Sequence, residues 1–175
     1  MILPQRKSIR LTEFNYSSAG CYFITICTTK RISVFGNIRN GSIFRNGYGN
    51  IAYANLVSIP KHVSNILVDT SIVMPNHIHM ILRILDISRP ESIQVNSISQ
   101  RSKQIIPKTI QFYKSSVTRM THFSNLWQRG YYDHVIRDEA DYLRIWEYID
   151  QNPIKWEMDE YFASNEEFSR SPIDS

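Results

Sequence analysis

The feature that most constrains the fold is the eighteen-residue run VDTSIVMPNHIHMILRIL, residues 68–85. It is rich in β-branched and aliphatic residues and is broken once, at Pro75-Asn76, by a pair that favours a tight turn. Two strands joined so closely must pair antiparallel. A third strand is predicted over CYFITICT, 21–28, and a fourth over LWQRGYYDHVI, 126–136. The two Asn-Gly steps of IRNGSIFRNGYGN, 38–50, mark a small hairpin.

Helical periodicity fills the intervals. Ala52, Leu56, Ile59, Val63 and Ile66 keep a period near 3.6 over 51–67, with Pro60 expected to kink or restart the helix. Pro107 opens a second helix whose apolar stripe is Ile110, Tyr113, Val117 and Met120. A third helix spans about 138–152, with Asp138, Glu139 and Asp141 at its N-terminus and Pro153 stopping its end. Strands alternating with helices predict an α+β domain of ferredoxin-like order, a central antiparallel sheet with helices packed on one face. The expected boundaries are one domain over 1–156, a flexible polar connection at about 86–105, and an acidic, frayed tail over 157–175.

Charge is divided along the chain. Residues 1–137 carry 17 Lys/Arg against 5 Asp/Glu, whereas residues 138–175 carry 3 against 11. A basic body attracts polyanions, of which nucleic acid is the commonest. No apolar run reaches the roughly 20 residues of a membrane span. MILPQRKSIRL has no apolar stretch behind its basic residues, so a cytoplasmic protein is expected. Cys21 and Cys27 are evenly spaced on one strand face and read as buried free thiols, not as a metal or redox pair.

Side chains alternate along a strand, so His77 and His79 emerge on one face while Ile78 and Met80 enter the core. Two imidazoles on one face can grip one metal ion if a third ligand arrives from another element. Alone, such a pair is a weak signal. His62, His122 and His134 are scattered and read as surface or hydrogen-bonded residues, with His134 also a candidate DNA contact.

On the third helix Tyr148 and Asn152 stand at i and i+4 and share a face. An amide oxygen at Asn152 suits a hard divalent cation, and Tyr148 is then one turn from a ligand. The competing reading packs Tyr148 in the core and leaves Asn152 as a helix end. Tyr131 and Tyr132 are rival nucleophiles on opposite strand faces, Tyr142 is a weaker one, and Gln151 is an alternative ligand.

Taken in order, RKSIR (6–10), YFITICT (22–28), MPNHIHMIL (74–82), FYKSSVTR (112–119), LWQRGYYDHVIR (126–137) and YIDQNPIKW (148–156) resemble the REP-associated tyrosine transposases. These are a branch of the single-tyrosine HUH transposases of bacterial insertion sequences. The resemblance implies a ferredoxin-like fold, His77 and His79 as metal ligands, Tyr148 as nucleophile and Asn152 as third ligand. The insertion-sequence branch usually has glutamine there; asparagine is usual in the REP-associated branch. It further implies a DNA transposase and endonuclease that uses Mg²⁺ or Mn²⁺. Its implied substrate is single-stranded hairpin DNA, cut and rejoined through a 5′-phosphotyrosine beside the bacterial nucleoid, by a monomer or a homodimer. Candidate DNA contacts are Arg6, Lys7, Arg10, Lys114, Arg119, Arg129, Tyr131 and Arg137, with Trp127 as a further stacking surface. The alternative is a domesticated, non-catalytic module that binds single-stranded nucleic acid on the same fold.

Overall fold

The computed structural model describes residues 18–85 and 104–156. The expectations for Arg6, Lys7 and Arg10, for nearly all of the 86–105 connection and for the 157–175 tail lie outside these residues. Strand β1 (Gly20–Cys27) leads through a short turn of helix to the hairpin β2 (Gly36–Arg39) and β3 (Ser42–Arg45). Helix α1 (Gly47–His62), strands β4 (Ile66–Val73) and β5 (His77–Ile84), helix α2 (Ile105–Thr121), strand β6 (Tyr132–Ile136) and helix α3 (Glu139–Gln151) follow.

The main sheet has the order β4-β5-β1-β6 with every neighbouring pair antiparallel. This is the α+β, ferredoxin-like arrangement, with β2 and β3 forming a separate two-stranded ribbon. The ribbon turns at Asn40-Gly41, whose φ angles of 50° and 69° suit the twist of a two-residue hairpin. The second Asn-Gly step is different: Asn46 caps α1, accepting from the Gly49 N–H at 2.9 Å. The cap starts α1 four residues before the periodic stretch, and the helix runs through Pro60 to end at His62.

One face of the sheet sends Tyr22, Ile24 and Ile26 of β1 and Ile78, Met80 and Leu82 of β5 against α1 and α2. Met120, expected in that stripe, is half exposed; Thr109, Ser116 and Thr121 are buried instead. Two helices therefore share one face as expected, but α3 lies on the other. There Ile145 and Ile149 pack on Phe23 and Ile81 in a second, smaller core. The physical reason is that the second face also carries apolar side chains, Phe23 of β1 and Ile81 of β5, which need cover.

The strand expected over 126–136 is regular only from Tyr132. Thr28 and Trp127 form an isolated bridge, and Gly130 at φ 82° turns the chain between that bridge and β6. Cys21 and Cys27 are free thiols on the α3 face, half-buried rather than sealed. Among the described residues no helix is long and apolar enough to cross a membrane.

Candidate metal and nucleophile site

Strand β5 lies between β4 and β1, with His77 opposite Cys27 and His79 opposite Thr25. With Ile78 and Met80 committed to the larger core, both imidazoles face α3 and are buried. Their ring centroids are 4.4 Å apart. His77 Nδ1 meets Asn76 Oδ1 at 2.7 Å, and His79 Nδ1 meets Thr25 Oγ1 at 2.8 Å. Since the Asn76 oxygen accepts, Nδ1 of His77 carries the proton and Nε2 carries the lone pair, the one a metal would use. Phe23 stacks on His79 at 5.3 Å, and Trp156 stacks on His77 at 6.0 Å.

Burial pulls the His77 pKa down to about 4, against an opposing hydrogen bond with Asn152; the charge on Arg31 lowers it further. Burial, then the neighbouring His77, holds His79 well below the ordinary histidine value. Both rings are therefore neutral near pH 7, the form that binds metal.

The other half of the cluster comes from α3. Ile145 and Ile149 anchor the helix on the sheet, which fixes its rotation. Asn152, at the helix C-terminus, is buried and turned toward His77. One turn earlier Tyr148 is 39% exposed, with its ring 5.2 Å from His79 and edge-on to Phe23 at 6.0 Å. The nucleophile candidate is thus open to solvent at one side and against the histidine pair at the other. It is not packed into the core.

The donor set fits a divalent cation. Among the described residues, His79 Nε2 is buried without a hydrogen-bond partner, an arrangement that costs free energy unless another species satisfies it, and the buried Asn152 amide lies beside the pair, toward His77. Among the same residues no group of three His, Cys, Asp or Glu side chains forms; the buried side chain turned toward the histidine pair from α3 is the Asn152 amide. Gln151 is turned elsewhere: its Nε2 donates to Glu147 Oε1 at 2.6 Å.

The rival tyrosines separate as strand alternation demands. Tyr131 is half-buried against the larger core, whereas Tyr132 is 46% exposed on the α3 face. Tyr142 donates to Asp69 Oδ2 at 3.1 Å, and Arg83 forks onto the same carboxylate, so that phenol clamps α3 to β4. Lys114 Nζ donates to the Gln128 carbonyl at 2.9 Å, and Trp127 Nε1 donates to the Lys114 carbonyl at 3.1 Å. These two hold the loop before β6, so both side chains have local partners. Arg119, Arg129 and Arg137 are exposed. His134 Nε2 and Asp141 Oδ2 are 2.7 Å apart. Phe23, Thr25, Asn76 and Trp156 were not singled out in the sequence as single site residues, and Tyr132 only as a rival nucleophile. For Phe23 and Thr25 the signal was their two-residue spacing on β1.

A protein of Haemophilus influenzae, itself uncharacterised, is 36% identical over 171 residues, spanning 92% of this chain and 95% of the relative. The chain belongs to the same family as that protein. A second Haemophilus influenzae protein, named for the REP-associated tyrosine transposases, is 25% identical over 83 residues, 47% of each chain. The solved structure of a REP-associated tyrosine transposase bound to a REP hairpin has the same fold, with a TM-score of 0.59 at 18% identity. The match covers 86% of this chain and 74% of that one. The resemblance to these transposases is thus shared by sequence motifs and by fold. No family model matches the chain.

Proposed function

We propose that this chain, whose family and fold align it with the REP-associated tyrosine transposases, cuts and rejoins single-stranded DNA with Tyr148 as nucleophile. The observation that carries the reading is the convergence of two strands and a helix. A solvent-open phenol lies 5.2 Å from a buried histidine, and the amide one turn along its helix is turned to that histidine's neighbour.

His77, His79 and Asn152 would hold a divalent ion, Mg²⁺ or Mn²⁺. When bound, it supplies Lewis-acid stabilisation of the charge that builds on a phosphate under attack. The remaining chemistry belongs to the chain. Asn76 and Thr25 hold the imidazoles in register. Phe23 and the helix hold the Tyr148 ring at the edge of the cluster. In the transfer, a bond forms between Tyr148 Oη and phosphorus as the bond from phosphorus to the 3′ oxygen breaks. The phenolic proton leaves to solvent and the departing 3′ oxygen gains one. One phosphoester replaces another, so a second 3′-hydroxyl can reverse the step without ATP.

The substrate proposed is a DNA hairpin with a single-stranded flank; the structural relative is bound to a REP hairpin. The test is to incubate labelled hairpin DNA with the protein and Mn²⁺. A covalent band should form, vanish with EDTA and be lost in Tyr148→Phe. A band that persists in the phenylalanine variant would move the chemistry to another residue. DNA binding without any band would leave a non-catalytic binding module.

A further inference from the structure

Beside Tyr148 runs a groove of about 450 Å³. None of His77, His79 and Asn152 lines it, so it is distinct from the ligand cluster. Its size falls within the roughly 300–1,000 Å³ typical of small-molecule sites. Phe23 and Ile145, both buried, contribute apolar surface. Tyr132 and Tyr148 stand edge-on to the Phe23 ring, at 6.3 Å and 70° and at 6.0 Å and 90°. Both tyrosines are partly exposed, which leaves aromatic surface available to a planar guest.

The polar lining narrows the guest further. Lys155 offers positive charge to a phosphate, and so does the exposed Arg144, which is also paired with Asp141. Glu147 would repel one, so its part of the groove suits a neutral group. Gln151 Nε2 donates to Glu147 Oε1, which commits one amide hydrogen and one carboxylate oxygen to each other. The oxygens that remain, Glu147 Oε2 and Gln151 Oε1, are acceptors. They match the paired N–H hydrogens of an exocyclic amino group, as on adenine, cytosine and guanine; thymine offers a single N3–H flanked by two carbonyl oxygens that would face these acceptors.

We propose that this groove binds a nucleobase of the single strand next to the phosphate under attack, stacked on Tyr132 and read by Glu147 and Gln151 in favour of amino-bearing bases. The placement of that base beside the reacting phosphate rests on the cleavage reading above; its binding does not. Stacking on an exposed aromatic ring tolerates any base, whereas the acceptor edge discriminates. Tyr132 supplies affinity and Glu147 selectivity, and the two contributions are separable.

The experiment measures binding of fluorescent oligo-dA, oligo-dC and oligo-dT of one length to the full chain carrying Tyr148→Phe, which needs no cleavage. Oligo-dT is expected to bind about tenfold more weakly than the other two. Adding Tyr132→Ala should weaken all three about tenfold, while Tyr132→Phe restores them. Adding Glu147→Gln should shrink the difference between oligo-dT and the rest without the general loss. Equal affinity for the three oligonucleotides, or Tyr132→Ala binding like its parent, overturns the subsite. In parallel, the native chain is given hairpins with randomised flanks and Mn²⁺, and any adduct is sequenced. No adduct with the binding pattern intact would refute the cleavage reading and leave the subsite standing. An adduct whose flanks show no depletion of thymine would refute the position assigned to the base.

Discussion

A neutral imidazole offers a metal only one nitrogen, and two small side chains decide which one it is. Asn76 and Thr25 occupy the Nδ1 edges of His77 and His79. Thr25→Val keeps the shape and removes the oxygen, so Mn²⁺ affinity should fall about 10- to 100-fold, read by calorimetric titration, with the sheet still formed. Unchanged affinity would mean that Thr25 plays no part in orienting the ring. The histidine pair was legible in the sequence because strand alternation alone sets its direction. The Tyr148–Asn152 spacing was legible because a helix turn sets it. Phe23 and Trp156 were not, since which ring stacks on which histidine depends on the β1–β5 register and on where the chain goes after α3. Neither is a local property.

At the scale of elements, α3 is held by a narrow set of contacts: Ile145 and Ile149 in the smaller core, and Tyr142 on Asp69. Ile149→Ala removes a buried side chain and should cost about 2–5 kcal/mol. Hydrogen exchange should show the loss first in the α3 amides. The N-terminus of α3 adds an acid-sensitive clasp. Asp138 accepts from the Asp141 N–H at 2.8 Å, and the Asp141 carboxyl is held below its ordinary value, chiefly by the hydrogen bond with His134 and also by Arg144. A depressed carboxyl stabilises the fold above its unfolded value of about 4 and ceases to as pH falls through the folded value. The first turn of α3 should therefore loosen as pH drops below about 4, and His134→Ala should reduce that acid dependence. Exchange rates at stepped pH check both. Element order and type were readable from periodicity. The start of α1 and the late start of β6 were not, because a cap at Asn46 and a turn at Gly130 override the apolar pattern.

For the whole molecule, two cores on opposite faces of one sheet predict different responses to the same kind of lesion. Ile78→Ala, in the larger core beneath α1 and α2, should lower global stability by about 2–5 kcal/mol and speed exchange everywhere. Ile149→Ala should leave the α1 and α2 amides protected. Equal loss across the chain for both would show that the two faces unfold as one. On the proposed reading, Mn²⁺ held between β5 and α3 would tie the smaller core to the sheet. At 100 times its Kd it should raise stability by about 2.7 kcal/mol, seen as a higher Tm that His79→Ala abolishes. Helix α3 also carries Tyr148 and Asn152 one turn apart on the same rod. On the proposed reading, any lifting of that rod would withdraw the blade and part of its mount in a single motion, leaving the tool either wholly armed or wholly safe.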